Sequence, residues 1–210
     1  MRLLVIGGVA AGLSAAARAR RLDPSLEILV LEKGPAISYG ACGLPYYLEG
    51  RVRELDDLVL YTPESFRKSR NISVRTGAEV TAIAHGRREV VLDRERVHYD
   101  RLVIATGARP IARIAGADQP HVFRLHTLAD AARLKQYLTE RRPRRAVVIG
   151  AGYIGLEVAD ALRRNGLAVT IVEAGPWILH REDAELTALV RAHLERFQVE
   201  LRCGVKVERI

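Results

Sequence analysis

A single cysteine lies among glycines, a proline and tyrosines in Ser38-Tyr39-Gly40-Ala41-Cys42-Gly43-Leu44-Pro45-Tyr46-Tyr47. Gly40 and Gly43 let the backbone bend tightly around the sulfur, and Pro45 suits the first turn of a helix. Cys42 is therefore expected at or just before a helix N-terminus, where the partial positive charge favours thiolate over thiol. A thiolate there can attack a disulfide or a peroxide, or accept electrons from a nearby cofactor. A buried structural cysteine explains the same stretch, because free cysteine packs as a small hydrophobe. The segment by itself leaves both readings open.

Two other stretches carry phosphate chemistry. Gly7-Gly8-Val9-Ala10-Ala11-Gly12 follows an apolar strand at Leu3–Ile6 and opens a small-residue helix running from Leu13 to about Leu22. A second strand, Glu27–Leu31, ends at Glu32, 20 residues beyond Gly12. Strand, glycine turn, helix, strand and acid form the Rossmann arrangement for a nucleotide pyrophosphate, with the acid placed for an adenosine ribose. Val9 occupies the position of the fingerprint's second glycine, so this copy is loose. The second copy is complete: strand Ala146–Ile149, Gly150-Ala151-Gly152-Tyr153-Ile154-Gly155, helix Leu156–Asn165 closed by Gly166, and strand Ala168–Val172 ending at Glu173. A carboxylate there can bind a ribose 2′-hydroxyl and repels a 2′-phosphate, which favours NADH over NADPH. Ser14, Arg18 and Arg21 share one face of the first helix. They read either as a solvated face or as a basic platform for a phosphate-bearing substrate.

The remaining elements hold these residues in place. Thr62-Pro63-Glu64 predicts a capped helix start. Asn71–Thr76 and Glu79–His85 read as strands, and Glu89–Asp93 with Arg96–Asp100 as a small antiparallel meander. Arg101–Ala105 is an apolar strand stopping at Thr106-Gly107-Ala108-Arg109-Pro110, where backbone can approach a cofactor. His126–Arg142 is a helical pattern with Thr127 as N-cap, Glu185–Phe197 is a further helix, and Val199–Val207 supplies one or two strands.

Composition narrows the class. The chain has 210 residues, 49% of them hydrophobic and 28% charged, the balance of a soluble globular protein. Two cysteines far apart argue for a reducing compartment, and no signal peptide or membrane-length apolar run is evident. The net charge of +8 includes Arg141-Arg142-Pro143-Arg144-Arg145. That cluster reads as a solvated connector, since it lacks aromatic interleaving and any nucleic-acid motif. Cys203 reads as structural, and the histidines show no metal-ligand spacing.

The loose first turn, the lone cysteine in its glycine–tyrosine segment, the Ala105-Thr106-Gly107 stop and the complete second fingerprint followed by Glu157 occur together. The chain thereby resembles the FAD-dependent pyridine nucleotide–disulfide oxidoreductases, and within them the single-cysteine branch of coenzyme A-disulfide reductases, persulfide reductases and NADH oxidases or peroxidases. The resemblance implies an α/β fold of two Rossmann-like units with parallel sheets and small antiparallel meanders. The first part of a FAD-binding domain would span 1–112 and an incomplete, truncated NAD(P)-binding domain 113–210.

The same resemblance implies site residues. Gly7, Gly8, Ala11, Gly12, Glu32, Lys33, Val80, Ala105, Thr106 and Gly107 match the FAD site. Gly150, Gly152, Ile154, Gly155, Glu157 and Glu173 match the nicotinamide site, Tyr153 the aromatic residue that shields the flavin, and Cys42 the redox-active cysteine. Ser14, Arg18, Arg21 and Ser38 match coenzyme A contacts. Two residues depart from the pattern. Ala41 stands where the coenzyme A branch often has asparagine, and Ala10 where the peroxidases have histidine. The expected activity is transfer of electrons from NADH, or alternatively NADPH, through FAD to Cys42, reducing a disulfide or persulfide such as coenzyme A disulfide. The alternatives are a water-forming NADH oxidase and a truncated, non-catalytic nucleotide-binding remnant. The chain reads as the N-terminal portion of a cytoplasmic enzyme that is a homodimer at full length, without nucleic-acid, membrane or metal partners.

Overall fold

The computed structural model describes residues 1–93 and 95–210. Its contacts sort the chain into two compact units: Met1–Gly40 with Asp56–Arg109, and Ala41–Leu55 with Pro110–Ile210. The short Cys42 segment thus packs with the second unit, although it follows the first glycine motif in sequence.

In the first unit β1 (Arg2–Ile6), α1 (Ala11–Leu22) and β2 (Glu27–Leu31) form the expected βαβ element. With β3 (Ser73–Arg75) and β7 (Arg101–Ile104) the strands make a four-stranded parallel sheet ordered β3-β2-β1-β7. Successive β1 side chains point to opposite faces. Leu3 and Val5 join Leu13 and Ala16 of α1, Ile28, Val30 and Phe66. Leu4 and Ile6 pack against Val90, Leu92, Val97 and Tyr99 of an antiparallel meander. That meander is β4 (Ala82–Ala84), β5 (Glu89–Leu92) and β6 (Glu95–His98). Both faces of the parallel sheet are covered, as a buried parallel sheet requires. The strands expected at Asn71–Thr76 and Glu79–His85 are each shortened to three residues. Gly77, at a φ of +65°, lies in the connection between them, and His85–Arg87 turns as a 3₁₀ helix.

The second unit begins with a 3₁₀ turn, Ala41–Gly43, running into the short α2 (Leu44–Glu49). In the first unit, α3 (Pro63–Arg70) starts on a reciprocal capping box between Thr62 and Ser65. In the second, α4 (Leu128–Arg141) starts on one between Thr127 and Asp130. Each box satisfies backbone donors that a helix start otherwise leaves orphaned. β8 (Arg145–Ile149), α5 (Tyr153–Arg164) and β9 (Ala168–Glu173) repeat the βαβ element. α6 (Ala184–Arg196), capped by Asp183, leads to β10 (Glu200–Cys203), giving a parallel sheet ordered β10-β9-β8. Its core joins Val148, Val169 and Ile171 with Ala159, Leu162 and Leu194. On the other face Val147 and Ile149 are exposed.

α5 starts three residues earlier than its apolar pattern predicts. Gly152 is the N-cap, so the fingerprint's last residues form the first helical turn. Tyr153 and Ile154 point to solvent there, which hides the helix from a reading based on buried spacing. Among the described residues no helix is long and apolar enough to cross a membrane.

Candidate functional site

Each βαβ element holds its glycine turn with the same circuit of hydrogen bonds. In the first unit the Gly7 N–H donates to the Leu31 carbonyl at 2.8 Å, and the Ser38 N–H donates to the Gly8 carbonyl at 3.1 Å. In the second, Gly150 N–H donates to Val172 at 2.8 Å and Leu179 N–H to Ala151 at 3.1 Å. The strand-end acids close both circuits. Glu32 Oε2 accepts from the Gly8 N–H at 2.6 Å and its Oε1 from the Gly34 N–H at 2.7 Å. Glu173 Oε2 accepts from Ala151 N–H at 2.7 Å and its Oε1 from Gly175 N–H at 2.7 Å. Ser38 and Leu179 even share the left-handed backbone, with φ of 49° and 46°. The two units are therefore two copies of one device at the level of single hydrogen bonds.

Glycine is required in these turns for close approach. A Cβ on Gly12 would run into the Gly7 carbonyl, and one on Gly155 into the Gly150 carbonyl. That contact brings each helix start against its strand. Gly7 has a φ of +105°, and a Cβ there would strike the Ala105 carbonyl. The Ala105 N–H in turn donates to Ile6 at 2.8 Å, so the Ala105-Thr106-Gly107 stop lies beside the first turn. Around Gly152 nothing approaches within 4 Å. Open space beside the N-cap of α5 is a cradle in which a pyrophosphate can meet bare backbone, the arrangement by which helix starts hold anions. In the first unit a half-buried Val9 stands at that place.

The Ala151 N–H chiefly, with those of Gly175 and Ala174 and the field of His180, holds the Glu173 carboxyl below its ordinary value of 4.5 against the opposing effect of burial. A carboxylate with a lowered pKa stabilises the fold above its unfolded value, and that contribution disappears as pH falls through the folded value. Glu173→Gln is therefore expected to cost about 1–2 kcal/mol at pH 7. The difference from wild type should close as the pH is brought below the carboxylate range, as read by urea denaturation across pH. A gap that stayed constant with pH would remove the electrostatic account.

The remaining residues singled out from sequence fall into place unevenly. Lys33 is exposed and ion-paired with Glu79 at 2.6 Å, and Val80 packs against the meander core. Ala11 begins α1, with Ser14, Arg18 and Arg21 exposed along the helix. Tyr153 is exposed, and its hydroxyl donates to Glu182, which raises its pKa above the ordinary 10.0. Ile154 is exposed beside it, while Glu157 is exposed further along α5. Glu182 carries no motif; only the fold of the 174–183 loop over the turn brings it to Tyr153.

Cys42 is a free, exposed thiol, not a buried structural cysteine. It lies in the 3₁₀ turn directly before α2, where Leu44 and Pro45 form the first helical positions. Cys203 is also free, but half-buried and packed against the core of the second unit. Among the described residues no group of histidine, cysteine and carboxylate side chains could hold a metal ion.

All 210 residues match the family described as Pyridine nucleotide-disulphide oxidoreductase. The chain belongs to that family. An NADH oxidase from Methanocaldococcus jannaschii is 35% identical over 100% of this chain and 48% of its own length. A coenzyme A disulfide reductase from Staphylococcus haemolyticus is 31% identical over 98% of this chain and 48% of its own length. The solved structure of a NAD-dependent persulfide reductase from A. fulgidus superposes with a TM-score of 0.94 at 39% identity, covering 100% of this chain and 41% of that one. The chain thus spans about half the length of these pyridine nucleotide-disulphide oxidoreductases. The paired turns fit the nucleotides that the family name implies, since each offers a glycine-lined helix start and a strand-end carboxylate.

Proposed function

We propose that this chain is the nucleotide- and cysteine-bearing portion of a flavoenzyme that reduces a small disulfide or persulfide with NADH. The observation that carries the proposal is the exposed free thiol of Cys42 in a family member with two carboxylate-closed glycine turns. FAD would take the first turn, held by Gly7, Gly8, Ala11 and Gly12 with Glu32, Lys33, Val80, Ala105, Thr106 and Gly107. The nicotinamide dinucleotide would take the second, held by Gly150, Gly152, Ile154, Gly155, Glu157 and Glu173, with Tyr153 screening the flavin. Glu173 favours NADH because its charge opposes the 2′-phosphate of NADPH.

When bound, the two nucleotides supply a two-electron path from a hydride donor. The chain supplies the sulfur. Cys42 thiolate attacks one sulfur of the substrate disulfide, forms a mixed disulfide and expels the other half as a thiolate. Two electrons then break the mixed disulfide, returning Cys42 to thiolate, and the released thiolate takes a proton from solvent. Exposed Ser14, Arg18 and Arg21, with Ser38, suit the phosphates of coenzyme A. A reducing cytoplasm suits two free cysteines, and a homodimer is the expected full-length assembly.

A second reading, NADH oxidation with Cys42 cycling through a sulfenic acid, is favoured by similarity to the archaeal NADH oxidase. Oxygen uptake measured against thiol formation separates the two. The test of the proposal is a visible spectrum of the chain incubated with FAD, before and after anaerobic NADH. A flavin spectrum that bleaches supports it. A protein that FAD leaves colourless overturns it for this chain and leaves the non-catalytic remnant.

A further inference from the structure

The helix that follows Cys42 is too short to hold itself. α2 has six residues, whereas isolated helices need roughly 12–15 even with good helix formers. Its order must come from what it rests on. Leu48 is fully buried and packs against Leu134 of α4 and Ala161 of α5, with Tyr47 beside them.

The backbone shows how the contact is locked. Gly50, left-handed at a φ of 96°, closes the helix by donating its N–H to the Tyr46 and Tyr47 carbonyls at 3.0 and 3.2 Å. The N–H groups of Arg51 and Val52 also go to Tyr46. This exit leaves the Leu48 carbonyl to side chains. It accepts from Lys135 Nζ of α4 at 2.7 Å and from Asn165 Nδ2, at the end of α5, at 2.9 Å. Next to it the Glu49 carboxylate, only 10% exposed, meets Arg51 at 2.9 Å and Arg164 at 3.3 Å. Lys135 Nζ also lies 5.7 Å from the centre of the Tyr47 ring.

We infer that Lys135 and Asn165 are positioning residues for Cys42, acting through the Leu48 carbonyl. By satisfying that carbonyl they fasten α2, and the 3₁₀ turn leading into it, onto α4 and α5. α5 begins at the second glycine turn and is capped by Asn165, so one helix carries the nucleotide cradle at its start and the cysteine segment at its end. Removing both donors strands a buried acceptor, which favours release of α2. A held turn limits the directions from which a freely diffusing disulfide can approach the sulfur, and a released turn opens them. The inference rests on the reading of Cys42 as the reacting sulfur.

The test uses the full 210-residue chain and an uncharged aromatic disulfide, with the modification of Cys42 and Cys203 timed separately by mass spectrometry. In a Lys135→Met, Asn165→Leu double variant the Cys42 rate is expected to rise about fivefold or more, as the freed segment opens the approach to the sulfur. Cys203 serves as internal reference and should keep its rate within roughly twofold, as a site away from the anchor does. Lys135→Arg keeps a donor in place and is expected to retain the wild-type Cys42 rate. An unchanged Cys42 rate in the double variant overturns the inference. Equal changes at both cysteines also overturn it, because they report general loosening. No flavin, nicotinamide or turnover enters the measurement, so its failure leaves the proposed activity standing. Conversely, a Cys42→Ser enzyme that keeps its turnover would remove the activity and leave the anchor intact.

Discussion

Cys42→Ser is expected to lower disulfide reduction by about a thousandfold or more while leaving nucleotide binding unchanged. Serine keeps the size of the side chain, and at an exposed site it costs the fold little. What it loses is the chemistry. A hydroxyl is not ionised at neutral pH and forms no mixed disulfide, so step one of the proposed cycle has no nucleophile. The glycine turns and their carboxylates are untouched, so the FAD spectrum and its bleaching by NADH should persist. That combination, a flavin that is reduced and a disulfide that is not, separates a defect at sulfur from a defect in folding. Full turnover with coenzyme A disulfide in the serine variant would take Cys42 out of the mechanism. Loss of disulfide reduction with retained oxygen consumption would mean that electrons reach oxygen without the cysteine.

The second large effect is expected at Gly7. Gly7 and Gly150 occupy equivalent places, at φ of +105° and +103°. A side chain is strained at either, by about 1–2 kcal/mol. At Gly7 a Cβ would also strike the Ala105 carbonyl, whereas around Gly150 nothing lies within 4 Å. Gly7→Ala is therefore expected to destabilise the chain by about 3 kcal/mol or more, as strain and steric overlap combine. It should also expel FAD by pushing the 105–107 backbone away from the turn. Gly150→Ala should cost about 1–2 kcal/mol. Urea denaturation of both variants measures the difference. Equal losses would show that the Ala105 backbone yields freely and that strain alone sets the penalty.

Much of this architecture is legible in local sequence, because the controlling interactions lie close together along the chain. Glu27–Leu31 is a strand as expected, and Thr62 and Thr127 both cap helices. The spacing from glycine turn to strand-end acid finds two nucleotide units, since a βαβ element closes its own hydrogen bonds within about 30 residues. Gly152 beside open space was readable as the place for bare backbone, and Val9 as the place where it is missing.

Other features depend on residues that sequence distance separates. The start of α5 at Tyr153 escapes a periodic reading because its first turn buries nothing. Glu32 and Glu173 appear in sequence as ribose partners; only the folded chain shows both carboxylates already receiving turn N–H groups. The Tyr153–Glu182 hydrogen bond spans 29 residues, and that from Asn165 to the Leu48 carbonyl spans 117. The chain's own sequence thus determined the two nucleotide turns, the capped starts of α3 and α4, and the cysteine between the turns, because each depends on backbone geometry set by neighbours. Which unit carries Cys42, and which side chains hold it, were decided only by tertiary structure. A six-residue helix has no stability of its own, and the buried carbonyl at its end takes whatever donors the packed helices bring to it.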